Sequence, residues 1–347
     1  MRKNHFYPVV VFLIFLFIHP VDGFSAEDVS SVISDFSYEI LYPENQKDKA
    51  LGYYDLLMKQ GEEQQIQLQL NNASNQPMQV AIAISSAKTN GNGVVTFGPN
   101  DIEVDDSLKH DLSKLMTAPK EVTLTPNSRT VVDFTIAVPE EAFEGYIAGG
   151  IQLKPIVKEH ASTKKEEVVL NKFAFVVGVL LSESETQNIK PDLQLNDVSL
   201  KLKNARYTVF ANISNTKSVF AENLTAMIKI RKKGEKKPLL EVEKKQLRMA
   251  PNSMMELPIF LENQKVTAGE YTADVEVKTQ NGQRWKWANN FRFSKIEAEQ
   301  INKQKSIENT ASSKPWWILY ILCIFLVLAI FFIIKRKLRK GANKRKR

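Results

Sequence analysis

Two stretches with the same spacing decide the fold. They read TPNSRTVVDFTIAVPEEAFEGYIAGGIQL, residues 125–153, and APNSMMELPIFLENQKVTAGEYTADVEV, residues 250–277. Each opens with Pro-Asn-Ser and runs through an apolar strand-like segment and a loop to a glycine and a tyrosine. In both stretches the tyrosine follows the proline by 20 positions. The sequence therefore contains an internal repeat, which predicts two domains of the same kind.

Apolar residues alternate with polar ones through most of the region that contains this repeat. Ile66, Leu68 and Leu70, for example, alternate with glutamines. This period of two is typical of half-buried strands, and many such strands separated by turns indicate antiparallel sandwiches. We therefore predict an all-β fold of two tandem immunoglobulin-like β-sandwich domains, with a signal peptide and one C-terminal transmembrane helix. Tyr146 and Tyr271 are candidates for tyrosine corners; ordinary half-buried strand tyrosines are the alternative.

The two ends of the chain predict export and a membrane anchor. Residues 1–25 join a basic start to an apolar run and small residues, typical of a signal peptide; an uncleaved anchor is the alternative. Residues 316–334 carry no charge over a length that spans a bilayer. The tail, residues 335–347, contains nine basic residues and no acidic one. The positive-inside rule places this tail in the cytoplasm and the preceding region outside the membrane, facing the cell wall.

The formal charge of +8 reflects this topology. The tail contributes +9 and Arg2 with Lys3 contribute +2, so residues 4–334 carry a charge of −3. The basic balance is therefore no indication of a nucleic-acid partner. The only cysteine, Cys323, lies in the predicted membrane helix, so the exported region has no disulfide. A large exported β region without disulfides favours a bacterial cell envelope.

Polar stretches divide the exported region. The segment KEHASTKKEEVV, residues 158–169, is polar and charged and predicts a linker. We expect the first domain at residues 31–157 and the second at residues 166–299. The polar residues 300–315 predict a stalk above the membrane.

The exported region contains no recognisable catalytic constellation. It has no cysteine nucleophile, no G-x-S-x-G elbow and no P-loop. Adjacent acids such as Glu140–Glu141 are typical of solvated turns, although a hydrolase of wall polymers is the remaining enzymatic alternative. Asp101, Glu103 and Asp105 share one face of an extended segment, as a solvated strand face or a cation site. We predict a non-enzymatic protein without cofactor or metal.

The segment SAKTNGNGVVTFGPN, residues 86–100, contains two glycines that suit positive-φ turn positions. It lacks a following helix, so it does not indicate a phosphate site. Either the loop only turns the chain, or its uncharged polar groups contact a glycan or stem peptide. The candidate ligand-binding residues are Thr89, Asn90, Asn92 and Thr96.

The segment NGQRWKWANNFRF, residues 281–293, begins with Asn-Gly, a strong hairpin signal. Tryptophans two apart share one face of a strand, and tryptophan and arginine are enriched at binding hot spots. The alternative is a core face at the end of the sandwich. The candidate partner-binding residues are Arg284, Trp285, Trp287 and Arg292.

These segments resemble the WxL-interacting protein family of membrane-anchored surface proteins in low-GC Gram-positive bacteria. Residues 36–100, KEVTL at 120–124 and GYIAGGIQL at 145–153 resemble its first domain, and residues 232–287 resemble its second. One departure is Gln60, where the family pattern has proline before glycine.

The resemblance implies a division of labour between the two domains. It associates the first domain with binding peptidoglycan and the second with binding host extracellular proteins. It also implies complexes with secreted WxL-domain surface proteins. An adhesin that acts mainly on host matrix or serum proteins is the alternative.

Overall fold

The architecture is seen in a computed structural model of the chain. It describes residues 35–156, 173–204, 206–261, 264–312 and 324. The predicted signal peptide and linker lie outside these residues, and so, apart from Ile324, do the predicted transmembrane segment and tail. Across these described ranges, no helix is both long and apolar enough to cross a membrane.

The first part of the fold contains eleven strands and one short helix. These are β1 (Phe36–Leu41), β2 (Tyr54–Leu57), β3 (Glu63–Asn72), β4 (Met78–Ser86), β5 (Lys88–Thr89), β6 (Val95–Thr96), α1 (Leu112–Leu115), β7 (Met116–Thr117), β8 (Glu121–Leu124), β9 (Ser128–Ala137), β10 (Ile147–Ile156) and β11 (Phe175–Ser182).

The first sheet pair encloses one hydrophobic core. Its four-stranded sheet has the order β1-β3-β9-β7, and its five-stranded sheet has the order β2-β11-β10-β4-β8. Ile66 and Phe134 from one sheet and Val80 and Ile151 from the other are buried in the same cluster. The period-two pattern thus places apolar side chains between the sheets, and the prediction of an all-β sandwich is confirmed here.

The second part contains seven strands and a longer helix. These are β12 (Leu193–Lys203), β13 (Arg206–Asn215), β14 (Ala221–Lys232), β15 (Leu240–Met249), β16 (Ser253–Ile259), β17 (Gly269–Lys278), β18 (Arg284–Phe293) and α2 (Lys295–Ser312). They form a three-stranded sheet, β12-β13-β16, and a four-stranded sheet, β15-β14-β17-β18.

Both sheet pairs have the same strand order. The order β1-β3-β9 in the first pair corresponds to β12-β13-β16 in the second, and β11-β10-β4-β8 corresponds to β18-β17-β14-β15. The first pair adds β2 next to β11, β7 next to β9, and the hairpin β5-β6. The internal repeat seen in the sequence is therefore also a repeat of topology.

A buried asparagine makes the same hydrogen bonds in each repeat. The Nδ2 of Asn72 donates to the carbonyl of Gln76 at 2.8 Å and to that of Thr125 at 3.0 Å. The Nδ2 of Asn215 donates to the carbonyl of Val219 at 2.7 Å and to that of Ala250 at 3.0 Å. One amide thus joins two chain segments that are distant in sequence.

The Pro-Asn-Ser motif follows the second acceptor of each amide. Asn127 and Asn252 have φ angles of 48° and 47°, in the left-handed region that asparagine tolerates better than most residues. The backbone N–H of Asn127 donates to Ser74 O at 3.0 Å, and that of Asn252 donates to Lys217 O at 3.1 Å. The motif is therefore a turn that is tied to the same loop as the buried asparagine.

Strand β11, Phe175–Ser182, lies in the range predicted for the second domain, 166–299, but joins the first sheet pair. In the structure, Ile147–Leu153 of β10 pairs with Phe175–Leu181 of β11. Because the alternating side chains of β11 enter the first core, the first sheet pair extends to Ser182. Periodicity predicts a strand here but does not say which sheet it joins.

The chain also divides into two compact units that differ from the sheet pairs. Unit 1 comprises Met1–Gln194, Ile213–Leu224 and Gln246–Glu256. Unit 2 comprises Leu195–Asn212, Thr225–Lys245 and Leu257–Arg347. Unit 1 therefore holds the first sheet pair together with one end of strands β13 to β16.

Within unit 2, Tyr271 has the geometry of a tyrosine corner. Its hydroxyl donates to Thr267 O at 2.9 Å and accepts from Thr267 N at 3.3 Å, which ties down the preceding loop. Within unit 1, Tyr146 is held differently. Its backbone N–H donates to Ser218 O at 2.6 Å, and its ring lies 6.0 Å from that of Phe220.

Helix α2 begins inside the predicted second domain and continues into the predicted stalk. Ser294 and Glu297 form a capping box, in which Ser294 N donates to Glu297 Oε2 at 2.7 Å. Asn302 exchanges two hydrogen bonds with the backbone of Val266, at 2.7 and 3.0 Å. The first residues of the predicted stalk are therefore attached to unit 2.

Replacement of Asn72 by alanine should lower the free energy of unfolding by about 2–4 kcal/mol, because two carbonyls in a buried site lose their donor. The control is Asn71→Ala on the opposite face of β3, with an expected loss within about 0.5 kcal/mol. Urea unfolding followed by circular dichroism measures both changes. Equal losses in the two variants would contradict the role of the buried amide.

A fragment of residues 31–157, which ends before β11, should be less stable than a fragment of residues 31–190. The shorter fragment lacks Val177, Val179 and Leu181, each 0% exposed. Burial of three such side chains contributes about 5 kcal/mol or more. Thermal unfolding of the two fragments is the measurement, and equal midpoints would show that β11 is dispensable for the first core.

Candidate functional site

The glycine-containing loop is the tip of a short hairpin. Lys88 pairs with Thr96, and Thr89 pairs with Val95. At the tip, Asn90 Oδ1 accepts from the backbone N–H of Asn92 at 2.9 Å and from that of Val94 at 3.1 Å. Gly93 has a φ of +69°, so its predicted positive-φ turn role is confirmed, whereas Gly91 does not have a positive φ and the prediction was wrong there. The tip therefore satisfies its own polar groups as a turn.

Within unit 1, the hairpin also contacts residues 248–253. Thr89 is 1% exposed, and its Oγ1 accepts from Ala250 N at 2.9 Å. The hydroxyls of Thr89 and Ser253 are 2.7 Å apart. Since Ser253 donates to Ala250 O at 2.9 Å, Thr89 is the donor to Ser253. The Thr89 hydroxyl thus donates one hydrogen bond and accepts another within unit 1.

The remaining candidate ligand-binding residues differ in accessibility. Asn92 is exposed, whereas Asn90 and Thr96 are half-buried. Thr96 Oγ1 accepts from Asn100 Nδ2 at 3.2 Å. A ligand could therefore meet Asn92 at this tip, and contact with a glycan there stays a prediction.

Small residues let the hairpin segment lie over the sheet. A Cβ added to Gly150 would lie 2.7 Å from Phe97 O, and one added to Gly149 would lie 2.3 Å from Ser85 O. The Ser85 hydroxyl donates to Phe97 O at 3.0 Å. The glycine pair in GYIAGGIQL is therefore required by close backbone approach.

Replacement of Thr89 by valine should destabilise the chain by about 1–3 kcal/mol, because the buried Ala250 N–H loses its acceptor. Asn92→Ala is the matched control at the exposed tip, with an expected change within about 0.5 kcal/mol. Chemical unfolding compares the two. A smaller loss for Thr89→Val than for Asn92→Ala would be incompatible with this contact.

A second candidate surface is the outward face of the sheet β1-β3-β9, termed here the amide face. It is defined by four carboxamides at alternate positions of β3, namely Gln65, Gln67, Gln69 and Asn71. Gln67 Nε2 donates to Asp133 at 2.7 Å, and Gln69 Nε2 donates to Glu39 at 3.1 Å. The alternating glutamines indicated a strand in the sequence, whereas the surface that their carboxamides share is visible only in the structure.

The candidate partner-binding residues all lie on β18 but on two different faces. Arg284 and Arg292 are exposed on the outward face. Trp285 and Trp287 are half-buried on the opposite face, in register with Val277 and Val275 of β17. The structure therefore separates the two cationic from the two aromatic candidates. Both the hot-spot and the core interpretations of the tryptophans remain open.

The acidic triplet of residues 101–105 does not present one free carboxylate face. Asp105 is 5% exposed; its carboxylate accepts from Ser107 Oγ at 2.6 Å and also from Ser214 Oγ. A search of the described ranges finds no group of three or more acidic, histidine or cysteine side chains that could hold a metal ion.

Sequence comparison defines a class of surface protein with two different binding domains in tandem. The model for the WxL Interacting Protein peptidoglycan binding domain matches residues 36–155. The model for the WxL Interacting Protein host binding domain matches residues 164–303. The chain belongs to the WxL-interacting protein family, as its sequence motifs indicated. No curated protein matches the chain.

Solved structures with low similarity include bacterial chaperones. The CupB2 chaperone of Pseudomonas aeruginosa is 12% identical, with a TM-score of 0.26, covering 65% of this chain and 91% of its own. The E. coli chaperone DraB is 15% identical, with a TM-score of 0.28, covering 75% and 98%. The PapD-like domain 7 of human CEP192 is 12% identical, with a TM-score of 0.26, covering 49% and 96%. At this level the matches support no inference about function.

Proposed function

We propose that this chain is a non-enzymatic scaffold of the cell surface, anchored by its C-terminal helix with the binding domains outside the membrane. In this proposal the first domain attaches to peptidoglycan. The second associates with WxL-domain surface proteins and with host extracellular proteins. The observation that carries the proposal is the order of the two family matches, at 36–155 and 164–303.

We further propose that both domains are immunoglobulin-like sandwiches. The second sheet pair has seven strands in sheets of three and four, which is a common arrangement in that fold class. Such a scaffold holds loops and strand faces rigidly, which suits binding of extended polymers. The absence of a recognisable catalytic motif from the sequence is consistent with binding as the whole activity.

The amide face is our candidate for the wall contact. Carboxamides both donate and accept hydrogen bonds. The hydroxyl and N-acetyl groups of a wall glycan do the same, so the two surfaces match in their hydrogen-bonding groups. The β3 carboxamides are already aligned by Asp133, Glu39 and Ser37. Fixed side chains lose less conformational entropy when a ligand binds.

The full chain should co-sediment with purified peptidoglycan sacculi, and Gln67→Ala with Gln69→Ala should weaken this binding roughly tenfold, as expected for two lost hydrogen bonds. The matched control is Gln76→Ala with Gln187→Ala, two exposed glutamines away from the amide face. Fractions bound at increasing sacculus concentration give the affinities.

Binding that the control reduces as much as the test variant would remove the amide face as the contact. No co-sedimentation of the folded full chain would refute the wall-binding part of the proposal. Release of soluble muropeptides during the same incubation would instead identify a hydrolase.

A further inference from the structure

Strand β18 ends its sheet in the part of the chain that the structure describes. There it pairs only with β17, from Arg284↔Lys278 to Phe293↔Gly269. In an antiparallel ladder, roughly half of the N–H and C=O groups of a terminal strand point away from its neighbour. These groups can form hydrogen bonds with an added strand.

The first repeat shows what occupies the same position when it is filled. Strand β11 corresponds to β18 in strand order, and β2 lies beside β11 in parallel register, with Val179 opposite Tyr54 and Leu181 opposite Leu56. In β2, the fully buried Tyr54 and Leu56 flank Asp55, whose carboxylate lies 3.7 Å from Lys47 Nζ. The occupant there is a strand with apolar residues at alternate positions and one acidic residue between them.

Around Lys229 and Arg231, the outward face of the second four-stranded sheet carries opposite charges on neighbouring strands. Glu241 of β15 pairs with Lys229 of β14 at 2.8 Å. Arg231 of β14 pairs with Asp274 of β17 at 2.7 Å. The hydrogen bond to Glu241, with the charges of Glu276 and Asp274, raises the pKa of Lys229. In this part of the sheet each basic side chain lies next to an acidic one on the neighbouring strand, whereas Arg248 of β15 and Glu222 of β14 pair with the signs reversed.

This alternation leaves excess positive charge on β18. Glu276 of β17 is shared by Arg284 at 3.2 Å and Lys286 at 3.3 Å. Glu270, which is in register with Arg292, also pairs with Lys233 at 3.1 Å. Continuing the pattern beyond β18 requires an acidic strand, since opposite charges on adjacent strands stabilise a sheet.

The other face of β18 indicates which residues an added strand would carry between its acidic positions. Trp285 and Trp287 are half-buried on the side of β17 residues Val275 and Val277. Aromatic and β-branched side chains on neighbouring strands pack favourably. An added strand would therefore direct its apolar residues towards these indoles. Its acidic residues would face the basic row, which consists of Arg284, Lys286 and Arg292.

We propose that β18 binds a partner protein by strand addition, and that the added segment alternates acidic with apolar residues. This inference rests on the proposed role of the second domain in binding protein partners, and it names the partner chemistry and the surface used. Basic residues on a terminal strand can also serve only to prevent unwanted pairing, and the experiment separates the two roles.

The probe is a fluorescent peptide, TEVEVEVT, compared with TKVKVKVT of equal length and apolar content. Anisotropy with the purified full chain should show binding of the acidic peptide at up to millimolar concentration, and hydrogen exchange should show slower exchange at Arg284–Phe293. Arg284→Gln with Lys286→Gln should weaken binding roughly two- to thirtyfold. Lys236→Gln with Lys237→Gln, in the exposed hairpin before β15, is the matched control and should leave binding unchanged.

Equal binding of both peptides, protection confined to other segments, or no binding would overturn the proposal and leave edge protection as the role of the charges. A parallel capture assay uses a co-secreted WxL-domain protein. If wild type and Arg284→Gln with Lys286→Gln capture it equally, strand addition at β18 is refuted while the proposed function stands. If the folded wild type captures neither this protein nor sacculi, the proposed function itself fails.

Discussion

The buried side-chain amide that closes each repeat is the contact on which the rest of the fold depends. Asn72 and Asn215 each end a central strand, where the chain leaves the ladder and backbone carbonyls lose their partners. One carboxamide supplies both missing donors, to a loop four residues ahead and to the residue before Pro-Asn-Ser. Aspartate cannot replace it, because an ionised carboxylate has no proton to donate. The amide therefore ties the loop that follows the strand to the turn that begins the returning strand.

A second constraint distinguishes the first repeat from the second. The segment after β4 folds back over its own sheet, where Gly150 leaves room for the backbone of Phe97. Because this covering hairpin also hydrogen-bonds to residues 248–253 within unit 1, Thr89 is a structural contact. A ligand contact at the exposed Asn92 stays a prediction.

The sequence predicts strands well because a period of two is a local property. The alternation at Ile66–Leu70 and the spacing after Pro126 and Pro251 both identify real elements. Sheet membership is not local, so only the pairing with β10 shows that β11, within the range predicted for the second domain, joins the first sheet pair. The burial of Thr89 likewise depends on Ala250, 161 residues away. For β18, the alternation predicts that Trp285 and Arg284 lie on opposite faces. Only the pairing with β17 shows which of the two faces is the outward one.

Two repeats with one strand order can differ in function through what lies beside their terminal strands. In the first repeat, β2 fills the place next to β11 and converts a terminal strand into an internal one. The candidate binding surface of that repeat is then a sheet face, the amide face. Flat polar faces suit polymers that present repeated hydroxyl and amide groups. In the second repeat, the corresponding strand ends the described sheet and carries a basic row on one face and indoles on the other. Backbone groups there can recognise an extended chain, and the side chains can select its sequence. Repetition of one strand order thus provides two chemically different surfaces.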